Sequence, residues 1–420
     1  MRLLEARQLG IACVLAVSLF AAGGCKPDEP APGGAPSAGA GTPTTVGSGS
    51  MNGSGGTQSA SSSDIIIGEY ASFTGSEASF GKSSDEGTQL AAEELNAAGG
   101  IDGKKVRIET EDDASDAGKA ATAARRLIDE KHVIAILGEV ASGNSLAAGH
   151  VCQEKGVPMV SPSSTKPAVT DIGDFIFRVC FIDPYQSAVV ARFAIDGLKA
   201  KRVAIFTNES APYSKGFRDD FKTAFTKYGG QVVAEKGYGK DDKDFKSSLT
   251  ALQASHPDAI LVPGYYSDSG AIAKQARDLG IKVPLLGGDG WDSQALFDSA
   301  GDAVNGCYFS DHMSIDDPSP ATQAFVKAYM AKFSHKPDAL AALGYDSAKL
   351  LFDAIKRAKS QDKKAIRDEL AKTKDFPGVT GKITINEKRN ADKPAVIIAI
   401  KDKQFKFEAQ IADPDQPMKK

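Results

Sequence analysis

Cysteine is scarce in this 420-residue chain, with five residues at Cys13, Cys25, Cys152, Cys180 and Cys307. None falls in a CxxC pair and no HxxxH pattern occurs, so no metal site is expected. Basic blocks are missing from the folded part. The 50 Lys and Arg against 54 Asp and Glu leave a formal net charge of −4, which argues against nucleic acid as a partner. A GxSxG elbow, a P-loop and a GxGxxG after the first apolar run are also absent. Serines at strand ends lack an activating base, because His132, His150, His256, His312 and His335 fall in helices, loops or strand starts. Catalytic residues and cofactors are therefore not expected.

The N-terminal apolar run IACVLAVSLFAAGG (11–24) is short against the roughly 20 apolar residues of a membrane span. Arg2 and Arg7 precede it and small residues end it, the pattern of a secretory signal over 1–24. The AAGGC ending resembles a bacterial lipoprotein signal, although Ala22 stands where that pattern prefers Leu. The resemblance implies that Cys25 is lipidated and anchors the protein to a membrane in the periplasm or at the cell surface. Residues 25–63 are mostly Pro, Gly, Ala, Ser and Thr, too poor in large apolar side chains to fold, and read as a flexible tether. Cys152, Cys180 and Cys307 then remain; one disulfide is possible and at least one thiol stays free.

From Asp64 the pattern alternates. Strand-like runs at 64–71, 104–110, 132–140 and 157–162 are separated by amphipathic, helix-like stretches. A second set follows at 202–208, 231–238, 258–265 and 283–290, and FIFRVCFID (175–183) is read as a linking strand. Two doubly wound parallel sheets side by side are expected, with a ligand cleft at the carboxyl ends of their strands. Helices are expected at 321–334 and 343–359 and strands within 381–408, and these need not share a lobe.

The apolar run VPMV ends in VSPSSTKPA (160–168), a hydroxyl cluster with no His, Cys or carboxylate beside it. Ser142 follows another strand-like run as an N-cap candidate; its hydroxyl either caps the helix or joins the helix dipole in holding an anion. Ser163 and Thr165 stand at the neighbouring strand end. From the second set, Asp289 lies in the Gly-rich turn LLGGDGWD, as a turn former or as a carboxylate facing the cleft. Tyr265, Tyr266 and Tyr213 follow nearby strands. Anion-binding donors on one lobe, with a carboxylate and aromatics on the other, suit a zwitterion with an apolar tail, an α-amino acid.

The segments FTGSEASFG, AAEELNAAGGIDGKKVRIETEDDASD, LGEVASGNS, GVPMVSPSSTKPAVT, PGYYSDSGAIAKQARDLGI and GGDGW occur in that order. Over Ile65 to about Glu408 the chain thereby resembles the periplasmic branched-chain amino-acid binding proteins, receptors of ABC importers. The resemblance implies an α/β, type I periplasmic binding protein fold with crossovers near 183, 313 and 379. Lobe 1 is expected over 64–183 plus 314–378, lobe 2 over 184–313 plus 379–412, and a tail over 413–420. Ser142 and Thr165 would hold the ligand carboxylate, while the Ser163 carbonyl and Asp289 would meet the ammonium. Tyr213 and Tyr265 match cleft tyrosines, and Phe80 replaces a Trp near the side-chain pocket. Asp289 stands where the Leu/Ile/Val type has Glu, Leu340 where it has a pocket Tyr, and Ser115 and Ala141 where it has a disulfide. The implied function is capture of a branched-chain or other aliphatic amino acid for an inner-membrane ABC permease, by a monomer. A receptor for another small carboxylate or amide, or a sensory subunit, is the alternative.

Overall fold

The computed structural model describes residues 64–418. The signal sequence, Cys25 and the tether lie outside the described residues. Strand β1 (Ile65–Ala71) opens a series of α1 (Ala78–Ala97), β2 (Val106–Asp112), α2 (Ala117–Asp129) and β3 (Ile136–Leu137). It continues with α3 (Ser142–Glu154), β4 (Met159–Ser161), α4 (Ala168–Asp171) and β5 (Ile176–Arg178). The five strands form a parallel sheet in the order β2-β1-β3-β4-β5. The IIIGEYA run of β1 is buried along nearly its whole length, as a central strand covered on both faces must be.

The second lobe repeats the rhythm with α5 (Asp183–Arg192), β6 (Arg202–Asn208), α6 (Pro212–Lys227), β7 (Gln231–Tyr238) and α7 (Lys246–Gln253). Then come β8 (Ala259–Leu261), α8 (Tyr266–Asp278), β9 (Leu285–Gly287), α9 (Leu296–Ala300) and β10 (Tyr308–Asp311). Helices α10 (Pro320–Phe333), α11 (Ala339–Ala358) and α12 (Lys363–Ala371) return to the first lobe, where α11 packs along α1. Their backbones touch: a Cβ on Gly87 would lie 1.9 Å from the Ala341 carbonyl oxygen. A hairpin of β11 (Phe376–Gly378) and β12 (Gly381–Ile383) precedes β13 (Ala395–Lys401) and β14 (Gln404–Ile411). The last two add an antiparallel edge to the parallel core β7-β6-β8-β9-β10. Both parallel cores share one strand order, and each opens a crevice at its carboxyl edge where the winding reverses.

The chain passes between the sheets three times, after Arg178, after Asp311 and between Ile383 and Ala395. The third passage falls beyond the expected 379, because the hairpin stays on α11. There the backbone N–H groups of Val379 and Thr380 donate to Asp346 at 2.8 and 3.0 Å. The segment after 412, expected as a tail, docks on the second lobe. Arg192 Nε donates to the Pro414 carbonyl at 2.8 Å, and the Met418 N–H donates to Asp196 at 2.9 Å. Cys152, Cys180 and Cys307 are separate buried thiols, and burial pushes Cys152 and Cys180 up to about 12. Among the described residues no helix is long and apolar enough to cross a membrane, and no His, Cys, Asp and Glu group could hold a metal ion.

Candidate functional site

The loop after β4 sorts its hydroxyls into two kinds. Ser161 and Ser164 point inward and donate to the Glu139 carbonyl at 2.7 and 2.9 Å, and Ser164 also reaches the Ser145 hydroxyl at 2.7 Å. The fully buried Arg178 pins the same loop by donating to the carbonyls of Ser164, Lys166 and Pro167. Ser163 and Thr165 face the other way, into the space between the lobes.

Ser142 joins them from the start of α3, with one correction. The N-cap is Ala141 in extended backbone, Ser142 is the first helical residue, and no side chain caps this helix. Its hydroxyl oxygen accepts the Lys166 N–H at 3.3 Å, which leaves the hydroxyl proton for another acceptor.

Across the cleft, Asp289 follows β9 and is almost fully buried. Its Oδ1 accepts from the Tyr213 hydroxyl and from Gln186 Nε2, both at 3.0 Å. Its Oδ2 lies 3.1 Å from His312 Nε2. The preceding glycine lets Tyr213 come this close, since a Cβ on Gly288 would lie 2.4 Å from the Tyr213 hydroxyl. Tyr213 stacks on Tyr265 at 5.2 Å, and Phe80 from the first lobe meets Tyr265 edge-on at 5.8 Å. Burial drives both tyrosine hydroxyls well above their ordinary range, so they stay neutral.

The seven ligand-binding candidates, Phe80, Ser142, Ser163, Thr165, Tyr213, Tyr265 and Asp289, line one narrow cavity between the lobes. Val140, Gly290 and Leu340 complete its wall. Hydroxyls stand on one side, a carboxylate on the other, and apolar or aromatic surface lies between. Such a space suits a small ligand with an anionic and a cationic end. Sequence reasoning missed Gln186 and His312. His312 follows the carboxyl end of β10, the same sheet edge that yields Asp289, and that placement was the available signal. Asp183 was also missed as an ionisable group. Burial lifts its carboxyl to about 7 despite polar contacts with Thr165 and Gln186.

The periplasmic binding protein family matches the chain over residues 64–404. The Leu/Ile/Val-binding protein BraC3 of Rhizobium johnstonii is 32% identical over 326 residues, covering 77% of this chain and 88% of that protein. The solved leucine binding protein LivK from Thermotoga maritima is 40% identical with a TM-score of 0.81, covering 84% of this chain and 100% of that one. LivJ from Streptococcus pneumoniae, solved in complex with isoleucine, is 36% identical with a TM-score of 0.78, covering 83% and 98%.

Proposed function

The chain belongs to the periplasmic binding protein family, and on that premise we propose that its cleft captures an α-amino acid with a branched or other aliphatic side chain. It then delivers that amino acid to an ABC permease. The observation that carries this reading is the pairing of Ser142 and Thr165 with Asp289 in one cavity. The hydroxyls and the helix start receive the carboxylate, and the Asp289 carboxylate with the Ser163 carbonyl receives the ammonium. Phe80, Val140, Leu340 and Tyr265 supply apolar surface for the side chain. A simple carboxylic acid would leave the buried Asp289 charge unpaired, at a cost of several kcal/mol, so the site selects against it. The names of the similar proteins, which specify leucine, isoleucine and valine, support the aliphatic class. The protein acts as a monomer, held to a membrane through lipidated Cys25.

Calorimetry with leucine tests the reading. Asp289→Asn keeps the shape and removes the charge, and the loss of a buried charged partner is expected to cost about 2–5 kcal/mol of affinity. Unchanged leucine binding, or equally tight binding of benzoate or 4-methylpentanoate, would overturn it in favour of a receptor for simple acids.

A further inference from the structure

We propose that His312 is a positioning residue for the ligand ammonium, acting through Asp289 and tying that carboxylate to a passage between the lobes. The proposal rests on the amino-acid reading of the cavity. Three side chains hold the Asp289 carboxylate, and Tyr213 and Gln186 are neutral donors on Oδ1. Among the described residues no Lys or Arg pairs with it, and the only ion-pair candidate is His312 on Oδ2. The state of this imidazole therefore decides how much negative charge the cavity keeps.

Three observations make His312 a neutral donor. The residue is fully buried, with its ring 3.8 Å from the Phe181 ring and nearly parallel to it. Burial holds its pKa below the ordinary range, and the hydrogen bond to Asp289 opposes this only in part. Nδ1 is buried with no partner. An orphaned N–H is rarer than an orphaned lone pair, so the proton belongs on Nε2, where it is donated to Asp289. Three neutral donors orient the carboxylate without cancelling its charge, which remains available to a cation in the cavity. A Lys or Arg in the same place would neutralise it.

His312 also sits where the two lobes connect. His312 begins the second passage between the lobes, and Phe181, on which it stacks, lies in the first. Gln186 reaches Asp289 from α5, and its Oε1 accepts the Ser310 hydroxyl of β10 at 3.0 Å. Of the three groups on the carboxylate, His312 thus sits on a passage between the lobes and Gln186 in the helix that follows another, whereas Tyr213 belongs to α6 of the second lobe.

Two substitutions separate this role from simple packing. His312→Phe keeps the ring on Phe181 and removes the donor, whereas His312→Gln keeps an amide donor and loses the ring. A positioning role predicts that His312→Phe raises the leucine Kd by about tenfold or more, the worth of a hydrogen bond to a charged group, and that His312→Gln recovers most of it. The reverse order, or no loss in His312→Phe, overturns the proposal. Asp289→Asn, measured alongside, keeps the two readings distinct. Weak binding in that variant with normal binding in His312→Phe removes this proposal alone, and normal binding in both removes the amino-acid reading. Should either histidine variant fail to fold, the ¹⁵N spectrum of histidine-labelled wild-type protein decides. An Nε2-protonated neutral ring with and without leucine is expected, and an Nδ1-protonated ring or an imidazolium overturns the proposal.

Discussion

Ala339 donates its backbone N–H to Asp292 Oδ2 at 2.7 Å, so a carboxyl group of the second lobe takes up a free N–H at the start of helix α11 in the first. Two further bonds cross the cleft nearby. The Ser79 N–H donates to the Tyr266 hydroxyl at 3.0 Å, and the Ser79 and Ser293 hydroxyls meet at 2.7 Å. These contacts join residues of different lobes, and none of them lines the cavity. They stabilise the closed arrangement whatever the ligand, and a ligand that prefers this arrangement gains from them.

Tyr266→Phe isolates one of these contacts. It keeps the ring against Phe80, 4.8 Å away, and removes the oxygen that accepts from Ser79. A lost hydrogen bond of about 0.5–1.5 kcal/mol should raise the leucine Kd by about two- to tenfold without touching the ligand. Small-angle scattering of the leucine-free protein should show a larger radius of gyration. Unchanged affinity and scattering would show that this bond does not weight the closed form.

Stability should depend on pH through Asp183. Burial raises its folded-state carboxyl to about 7, so the folded protein holds a proton that the unfolded chain releases. The stability this contributes is complete below the ordinary carboxyl range and is lost as pH rises toward and through about 7. Asp268, raised by burial to about 6, acts in the same direction, while the lowered pKa of His312 opposes both at acidic pH. The test is therefore the difference between wild type and Asp183→Asn in urea unfolding from pH 5 to 7.5. The variant should gain on the wild type as pH rises, by at most about 1.4 kcal/mol per pH unit. A constant difference across that range would rule out titration of Asp183.

The anchor is tested on Cys25. If it is the lipidated residue, Cys25→Ser should appear in the soluble fraction or remain unprocessed, and should lose incorporation of labelled fatty acid. Retention of the label in the variant would place the lipid elsewhere.

The strand-end positions of the site were legible because each lies just past an apolar run, where a parallel sheet delivers its loops to one edge. Asp289, Tyr265 and the hydroxyls around Ser163 belong to this group. His312 and Gln186 were not, because their partnership with Asp289 spans 23 and 103 residues and follows no local period. Long apolar runs also overstated the strands. The run 258–265 keeps only Ala259–Leu261 in the ladder, since the chain turns off toward α8 once past the sheet edge. FIFRVCFID keeps only Ile176–Arg178, and helix α5 begins at its last residue, Asp183, where Pro184 is at home in the first turn. Helix α12 escaped notice because KKAIRDELA is mostly polar and buries only Ile366 and Leu370.

VSPSSTKPA offers the sharpest division between ligand and framework, because adjacent hydroxyls do different work. Ser164 donates into the Glu139–Ser145 network, so Ser164→Ala should lower thermal stability by about 1–3 kcal/mol through unsatisfied buried partners. Its effect on leucine binding should follow from that loss of stability. Thr165→Val removes a hydroxyl from the cavity at nearly constant volume, and Ser142→Ala removes one from the start of α3. Each gives up a hydrogen bond to a charged ligand, worth about 1.5–3 kcal/mol, so each should weaken leucine binding roughly tenfold or more. Because no side chain caps α3 and the Ser142 hydroxyl carries only the long 3.3 Å bond from the Lys166 N–H, Ser142→Ala should cost less stability than the loss of about 0.5–2 kcal/mol expected of a true cap. Ser163→Ala should be mild in both assays, since the group assigned to the ammonium is its backbone carbonyl. Calorimetry and thermal melts on the four variants give a pattern that a general loop defect cannot reproduce: affinity lost at 142 and 165, stability lost at 164, neither at 163. Equal losses of affinity and stability across all four would return these hydroxyls to the framework and leave the ligand carboxylate without a partner.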